Sequence, residues 1–167
     1  RRQARRDAAR LMNASVAIAS DALSAEIAPL GAELQRLTAA DGRELLWDGD
    51  PAWWSGRAPI LFPIVGALAG DQYRLAGKSY ALPRHGFARR RDFALVAQAV
   101  DHARFRLEDD AETRAAYPFA FALELDYRLT GATLAITATI INRDAIALPA
   151  SIGFHPAFRW PLGDAPR

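Results

Sequence analysis

A chain of 167 residues, 51% apolar and 24% charged, suits one globular domain with a sizeable core. It has no cysteine, which excludes disulfides, thiolate nucleophiles and cysteine-based metal sites and fits a reducing, cytoplasmic setting. No stretch supplies the ~20 apolar residues of a membrane helix and no secretory-signal pattern opens the chain, so no membrane partner is expected.

The net charge of +2 is unevenly placed. Arg1, Arg2, Arg5, Arg6 and Arg10, less Asp7, give the first ten residues +4, so the remainder carries −2. Residues 1–13 therefore read as a basic extension. A basic tail can hold phosphates, but one without aromatic or β-branched residues is expected to be disordered, and no nucleic-acid partner is assigned.

From Ser15 onward the texture is short apolar runs punctuated by Gly, Asp and Pro, so residues 14–167 read as one all-β unit. Val16–Ala19, Leu23–Ile27 and Glu33–Thr38 are predicted strands, with a turn at Asp41-Gly42 leading into Leu45–Trp47. A loop from Asp48 to Gly56 carries Trp53 and Trp54. Ala58–Val65 is apolar but interrupted by Pro59 and Pro63, which argues against a central strand or a regular helix. Tyr73–Leu75 and Ser79–Leu82 bracket Gly77 as a hairpin. His102, Arg104, Arg106 and Glu108 alternate with Ala103, Phe105 and Leu107, so His102 is expected to face solvent. Asp110–Ala116 reads as one helical turn. Phe121, Leu123, Leu125, Tyr127 and Leu129 alternate with Glu124, Asp126 and Arg128, the pattern of a half-buried strand, and Leu134–Ile141 is rich in β-branched residues. Many short strands with turns between them indicate a sandwich or barrel.

Three stretches offer chemistry. In Pro149–Leu162, an extended backbone places Ile152, Phe154, Phe158 and Trp160 on one face and His155 with Arg159 on the other. An imidazole and a guanidinium on the wet face of an aromatic-backed strand suit a polar, oxygen-rich ligand; the bland alternative is a strand end with a solvated histidine. Pro83–Arg89 sets His85 between Arg84 and Arg89 around Gly86, in a loop. The alternative there is a charged turn in which Arg89 or Arg90 pairs with Asp92. Arg57, beside the two tryptophans, is either a third ligand contact or a stem lying over an indole. The three histidines lack the spacing of a zinc site, no glycine-rich phosphate loop precedes a helix, and no Gly-x-Ser-x-Gly elbow is present, so no metal or cofactor is expected.

Several segments in order, Glu44–Trp47 with Trp53 or Trp54, Arg57–Gly66, His85–Arg89, Tyr117–Phe121 and Asn142 through Gly153-Phe154-His155-Pro156, resemble the aldose 1-epimerase (galactose mutarotase-like) family, especially its LacX-like branch. The resemblance implies a β-supersandwich that binds an aldose and interconverts its α and β anomers by acid/base ring opening, without metal or cofactor. It places His155 at the general acid, His85 at the histidine that hydrogen-bonds the sugar near its ring oxygen, and Arg57 and Arg89 among the substrate-side arginines. In relatives acting on hexose phosphates such arginines hold the anion, so the small-molecule partner is expected to be a hexose or hexose phosphate. Two departures stand out. Gly66-Ala67 occupies the place of an Asn-Arg pair, and the family's glutamate base lies well beyond its His-Pro motif, where this chain stops at Arg167. The expectation is an N-terminal part of such a domain, incomplete at the C-terminus, from a truncated or damaged gene. It should be inactive alone and expose apolar faces and open edges. The competing expectation is a non-catalytic carbohydrate- or sugar-phosphate-binding module.

Overall fold

The structure, a computed structural model, describes residues 15–160; the basic extension, residues 1–13, lies outside the described residues. Its first sheet is an antiparallel meander of β1 (Val16–Ala19), β2 (Leu23–Ile27) and β3 (Leu34–Ala39). Val16 and Ile18, then Leu23, Ala25 and Ile27, turn inward with the strand period of two, and Leu34 and Leu37 do so across a shift of register opposite Glu26 and Ile27. The Ser20 hydroxyl shapes the first turn by accepting the N–H groups of Ala22 and Leu23.

The larger sheet has the order β10-β9-β8-β7, with β7 (Ala94–Gln98), β8 (His102–Glu108), β9 (Phe121–Thr130) and β10 (Thr133–Asn142) all antiparallel. The five alternating apolar residues of β9 are buried and, with Phe105 and Leu107 of β8, meet the inward face of the first sheet in one core. Tyr127 reaches across it, its hydroxyl donating to the Ala32 carbonyl at 2.6 Å. Between β8 and β9 runs α1 (Ala111–Ala116), whose start is closed by a reciprocal Asp110–Thr113 capping box. A separate hairpin, β5 (Gln72–Leu75) and β6 (Lys78–Ala81), turns at Ala76-Gly77, both at positive φ, as the glycine there predicts. Among the described residues β10 is an edge, paired with β9 alone.

Two sequence expectations need correction. His102 stands on the polar face of β8, yet its side chain is only 13% exposed, because Asp126 on the neighbouring strand holds Nε2 at 2.8 Å. The proline-flanked apolar run forms only the two-residue strand β4 (Ile60–Leu61), paired with β11 (Gly153–Phe154) alone, in keeping with the expectation that it holds no central strand or regular helix. Finally, the presumed aromatic backing of the His155 stretch is not buried, with Phe154 44%, Phe158 57% and Trp160 69% exposed.

Candidate functional site

The site is assembled on one spine, residues 57–66. Residues 151–157 run antiparallel along its first edge. Ser151 N–H donates to the Pro63 carbonyl (2.8 Å), Gly153 and Phe154, which form β11, pair with Leu61 and Ile60, His155 N–H reaches the Pro59 carbonyl (3.3 Å), and Ala157 N–H meets the Arg57 carbonyl (2.8 Å). The far side of that arm is stitched to residues 45–47 through Trp47 N–H to Ala157 O and Arg159 N–H to Leu45 O, both 2.9 Å.

The second edge holds the His85 loop. Phe62 bridges Gly86 in parallel, and its carbonyl accepts from Phe87 (3.0 Å) and Ala88 (3.2 Å). His85 and Gly66 grip each other twice, His85 N–H donating to Gly66 O (2.8 Å) and Gly66 N–H donating to His85 Nδ1 (3.0 Å). The two histidine arms, distant in sequence, thus sit on opposite edges of one short strand. Behind them Phe62, Phe87, Tyr117 and Phe121 form an aromatic cluster, with Phe62 and Phe121 centroids 5.2 Å apart. Tyr117 also donates its hydroxyl to Pro149 O (2.9 Å), tying down the chain just before the His155 arm.

A backbone N–H can only donate, so the Gly66 contact makes Nδ1 of His85 the acceptor and leaves the ring proton on Nε2. His85 is therefore held as a neutral donor. Burial first, then the charges of Arg89, Arg84 and His155, lower its pKa below the ordinary histidine value. The unfolded chain accepts a proton near pH ~6.5 that the folded chain resists. His85 accordingly contributes stability above that value; the contribution falls as pH drops through it and levels off once the lower, folded-state pKa is passed. Thermal unfolding followed from neutral to mildly acid pH should show a shallower acid limb in His85→Asn, whose amide oxygen still accepts the Gly66 N–H. Identical limbs would remove His85 from this account.

The arginines divide. Arg89 stands by His85: its Nε is buried without a hydrogen-bond partner, one terminal nitrogen donates to Arg84 O (3.2 Å), and burial with Arg90 and Arg84 pulls its pKa down. Among the described residues Arg84, Arg89 and Arg90 form no salt bridge, so the alternative of a charged turn in which Arg89 or Arg90 pairs with Asp92 is not seen. Arg57 belongs to the spine by its backbone, on the rung next to His155, but its guanidinium turns into a small cavity of ≈ 240 Å³. There it donates to Gln35 Oε1 (2.7 Å) and Asp48 O (2.5 Å). Arg159 pairs with Asp48 (2.9 Å) in that cavity's wall. The larger cavity, ≈ 670 Å³ beside β7 and β8, is lined by none of the four sequence-predicted site residues.

The aldose 1-epimerase family model matches residues 15–165. The chain belongs to the aldose 1-epimerase family. Protein LacX (chromosomal) of Lactococcus lactis subsp. lactis is 33% identical over 154 residues, which are 89% of this chain and 52% of that protein. Among solved structures, the galactose mutarotase related enzyme from Lactobacillus acidophilus is 34% identical with a TM-score of 0.88, covering 92% of this chain and 51% of that one. A galactose mutarotase-like protein from Lactobacillus casei is 41% identical with a TM-score of 0.84, covering 86% and 49%. The fold is thus the galactose mutarotase-like sandwich in part, and the chain spans about half the length of the curated relatives it matches.

Within this aldose 1-epimerase framework, two residues outside the four expected site residues shape the site. Glu33 leads into β3, and its Oε1 accepts the N–H groups of both Arg57 (2.9 Å) and Ala58 (2.8 Å), fixing where the spine begins. Nothing local signals this, since the contact joins residues more than twenty positions apart. Trp54 packs its ring edge-on against His155, centroids 5.2 Å apart at 74°. The tryptophan pair was legible as a loop feature, but only the fold shows which indole meets the imidazole.

Proposed function

We propose that this chain carries the acid side of an aldose 1-epimerase site, handling an aldose or its phosphate. The observation that supports the reading best is the placing of the His85 and His155 arms on opposite edges of one spine, with His85 locked as an Nε2–H donor. In this reading His85 donates to the sugar near its ring oxygen, and His155 protonates that oxygen as the C1–O bond breaks. A carboxylate removes the anomeric hydroxyl proton, giving the open-chain aldehyde; rotation about C1–C2 and reclosure then deliver the other anomer, with both protons returned. The carboxylate belongs, on this proposal, to the part of the family fold that the chain does not span. Among the described residues neither His85 nor His155 forms a salt bridge with a carboxylate. The unpaired arginines around His85 favour a substrate bearing an anion, for which a guanidinium fork is suited. Arg57, bound to Gln35 and Asp48, serves as a fixed wall and contributes to substrate binding through the rung it shares with the His155 arm.

The absence of a paired carboxylate also gives the second reading its footing: a module that binds a sugar or sugar phosphate without turning it over. Anomer exchange measured by NMR magnetisation transfer on glucose and glucose 6-phosphate separates the two. A chimera should be used alongside the 167-residue chain, carrying in addition the half of the Lactobacillus casei relative that the chain does not cover. Exchange is expected in the chimera, and His155→Asn should reduce it by at least about 10²-fold, the usual worth of a general acid, while binding weakens only modestly. Undiminished exchange in His155→Asn would remove it as the acid. Binding with exchange at the uncatalysed rate in the chimera would favour the module.

A further inference from the structure

Of the two adjacent tryptophans, one is anchored and the other is free. Trp53 is 82% exposed and Trp54 36%. Trp54 is pinned at both ends of its peptide: its N–H donates to Asp50 O (2.9 Å), and its carbonyl accepts from Trp47 Nε1 (2.8 Å). Its indole rests on Gly56, where a Cβ would lie 2.6 Å from Cζ2 and 2.7 Å from Cε2. Only a residue without a side chain leaves that seat open. From there the ring reaches His155 edge-on, while part of its surface stays open to solvent. Anchoring a large apolar ring beside an exposed imidazole offers a ligand two kinds of contact at once, a flat apolar surface and a hydrogen-bonding nitrogen. A pyranose presents the matching pair, a face of C–H groups and a rim of oxygens.

We propose that Trp54 is a sugar-binding residue: its indole is the wall against which the C–H face of a pyranose lies, it holds the His155 imidazole toward the sugar oxygens, and Gly56 is the seat that makes this possible. The inference rests on the reading that His155 meets the sugar, and it adds the residue that sets the ring's orientation there.

The test follows the His85 and His155 Cε1–H resonances of the 167-residue chain by NMR, free and during titration with glucose and glucose 6-phosphate. The variants are Trp54→Ala, Trp54→Phe and Gly56→Ala. In the unmodified chain the indole ring current should displace the His155 signal, and sugar should shift it further. Both Trp54→Ala and Gly56→Ala should abolish the displacement and weaken sugar binding by about tenfold, the scale of one well-placed aromatic contact. Trp54→Phe should recover part of the affinity. An unmoved His85 signal in the free variants shows that the fold persists and that the effect is local. Equal affinity in Trp54→Ala and the unmodified chain would overturn the wall while leaving the His155 reading intact. Full affinity in Gly56→Ala would overturn the seat. A His155 signal that no sugar shifts in the unmodified chain would overturn both readings together.

Discussion

Replacing Gly86 with alanine should cost about 3–5 kcal/mol of folding stability, a large part of the ~5–15 kcal/mol that holds a typical domain together. Gly86 sits at φ +69°, where a side chain is strained by about 1–2 kcal/mol. The larger problem is space. A Cβ there would stand 2.2 Å from the Phe62 carbonyl oxygen, 2.5 Å from its carbon and 2.7 Å from Pro63 Cδ. These are spine atoms, so no side-chain rotation relieves the clash; either the loop leaves Phe62 or the spine bends. The hydrogen bonds from Phe87 and Ala88 to Phe62 O would go with it. Gly77→Ala is the fitting control, since Gly77 has φ +79° and nothing within 4 Å of a built Cβ. It should lose only about 1 kcal/mol, the backbone strain alone. Urea midpoints of the two variants measure the contrast, and equal losses would mean that the close approach at Phe62 is not tight.

Glu33→Ala is the second large loss, about 3 kcal/mol. One carboxylate oxygen serves two consecutive backbone donors, and charge-assisted bonds of this kind contribute roughly 1.5–3 kcal/mol each, less where water reaches them. Removing the side chain leaves the Arg57 and Ala58 amides to find water beside the core residue Ala58. Glu33→Gln keeps a carbonyl oxygen in place without the charge and should lose only about 1 kcal/mol. The two variants, compared by denaturant midpoint and by the amide proton shifts of Arg57 and Ala58, separate the charge from the geometry. If Ala and Gln cost the same, the bonds are not what positions the spine.

Local pattern carried most of the strands. The alternation along Phe121–Leu129 and Ala103–Leu107 names both the strands and their inward faces, because a two-residue period is a property of the chain itself. Gly77 and Asp110 announce a hairpin and a helix start for equally local reasons. What escaped depends on register between distant segments. His102 is covered because the ladder from β8 to β9 brings Asp126 within reach, and nothing around residue 102 predicts that neighbour. The two prolines argue against a central strand, as β4 bears out, yet do not reveal that Phe62, the next residue, bridges Gly86 on the other side. The candidate site shows the same division. His85, His155 and Arg89 were singled out from motif-like surroundings, while the direction of the Arg57 guanidinium and the seat of Trp54 follow from packing between loops. The exposure of Phe154, Phe158 and Trp160 is likewise a fact about which layers surround them, which alternation along one strand does not encode.

The doubly bonded spine has a consequence for how the molecule comes into being. Its first edge waits for residues 151–157, almost the last of the described chain, whereas both sheets are closed by hairpins and neighbouring strands. Contacts between sequence-distant segments form late, because the entropy of closing the loop must be overcome before they return anything. During synthesis the meander and the larger sheet can mature while His155 is still inside the ribosome. The two histidine arms then come together after both sheets, and a nascent chain halted short of Ser151 would hold those sheets without the first edge of the spine.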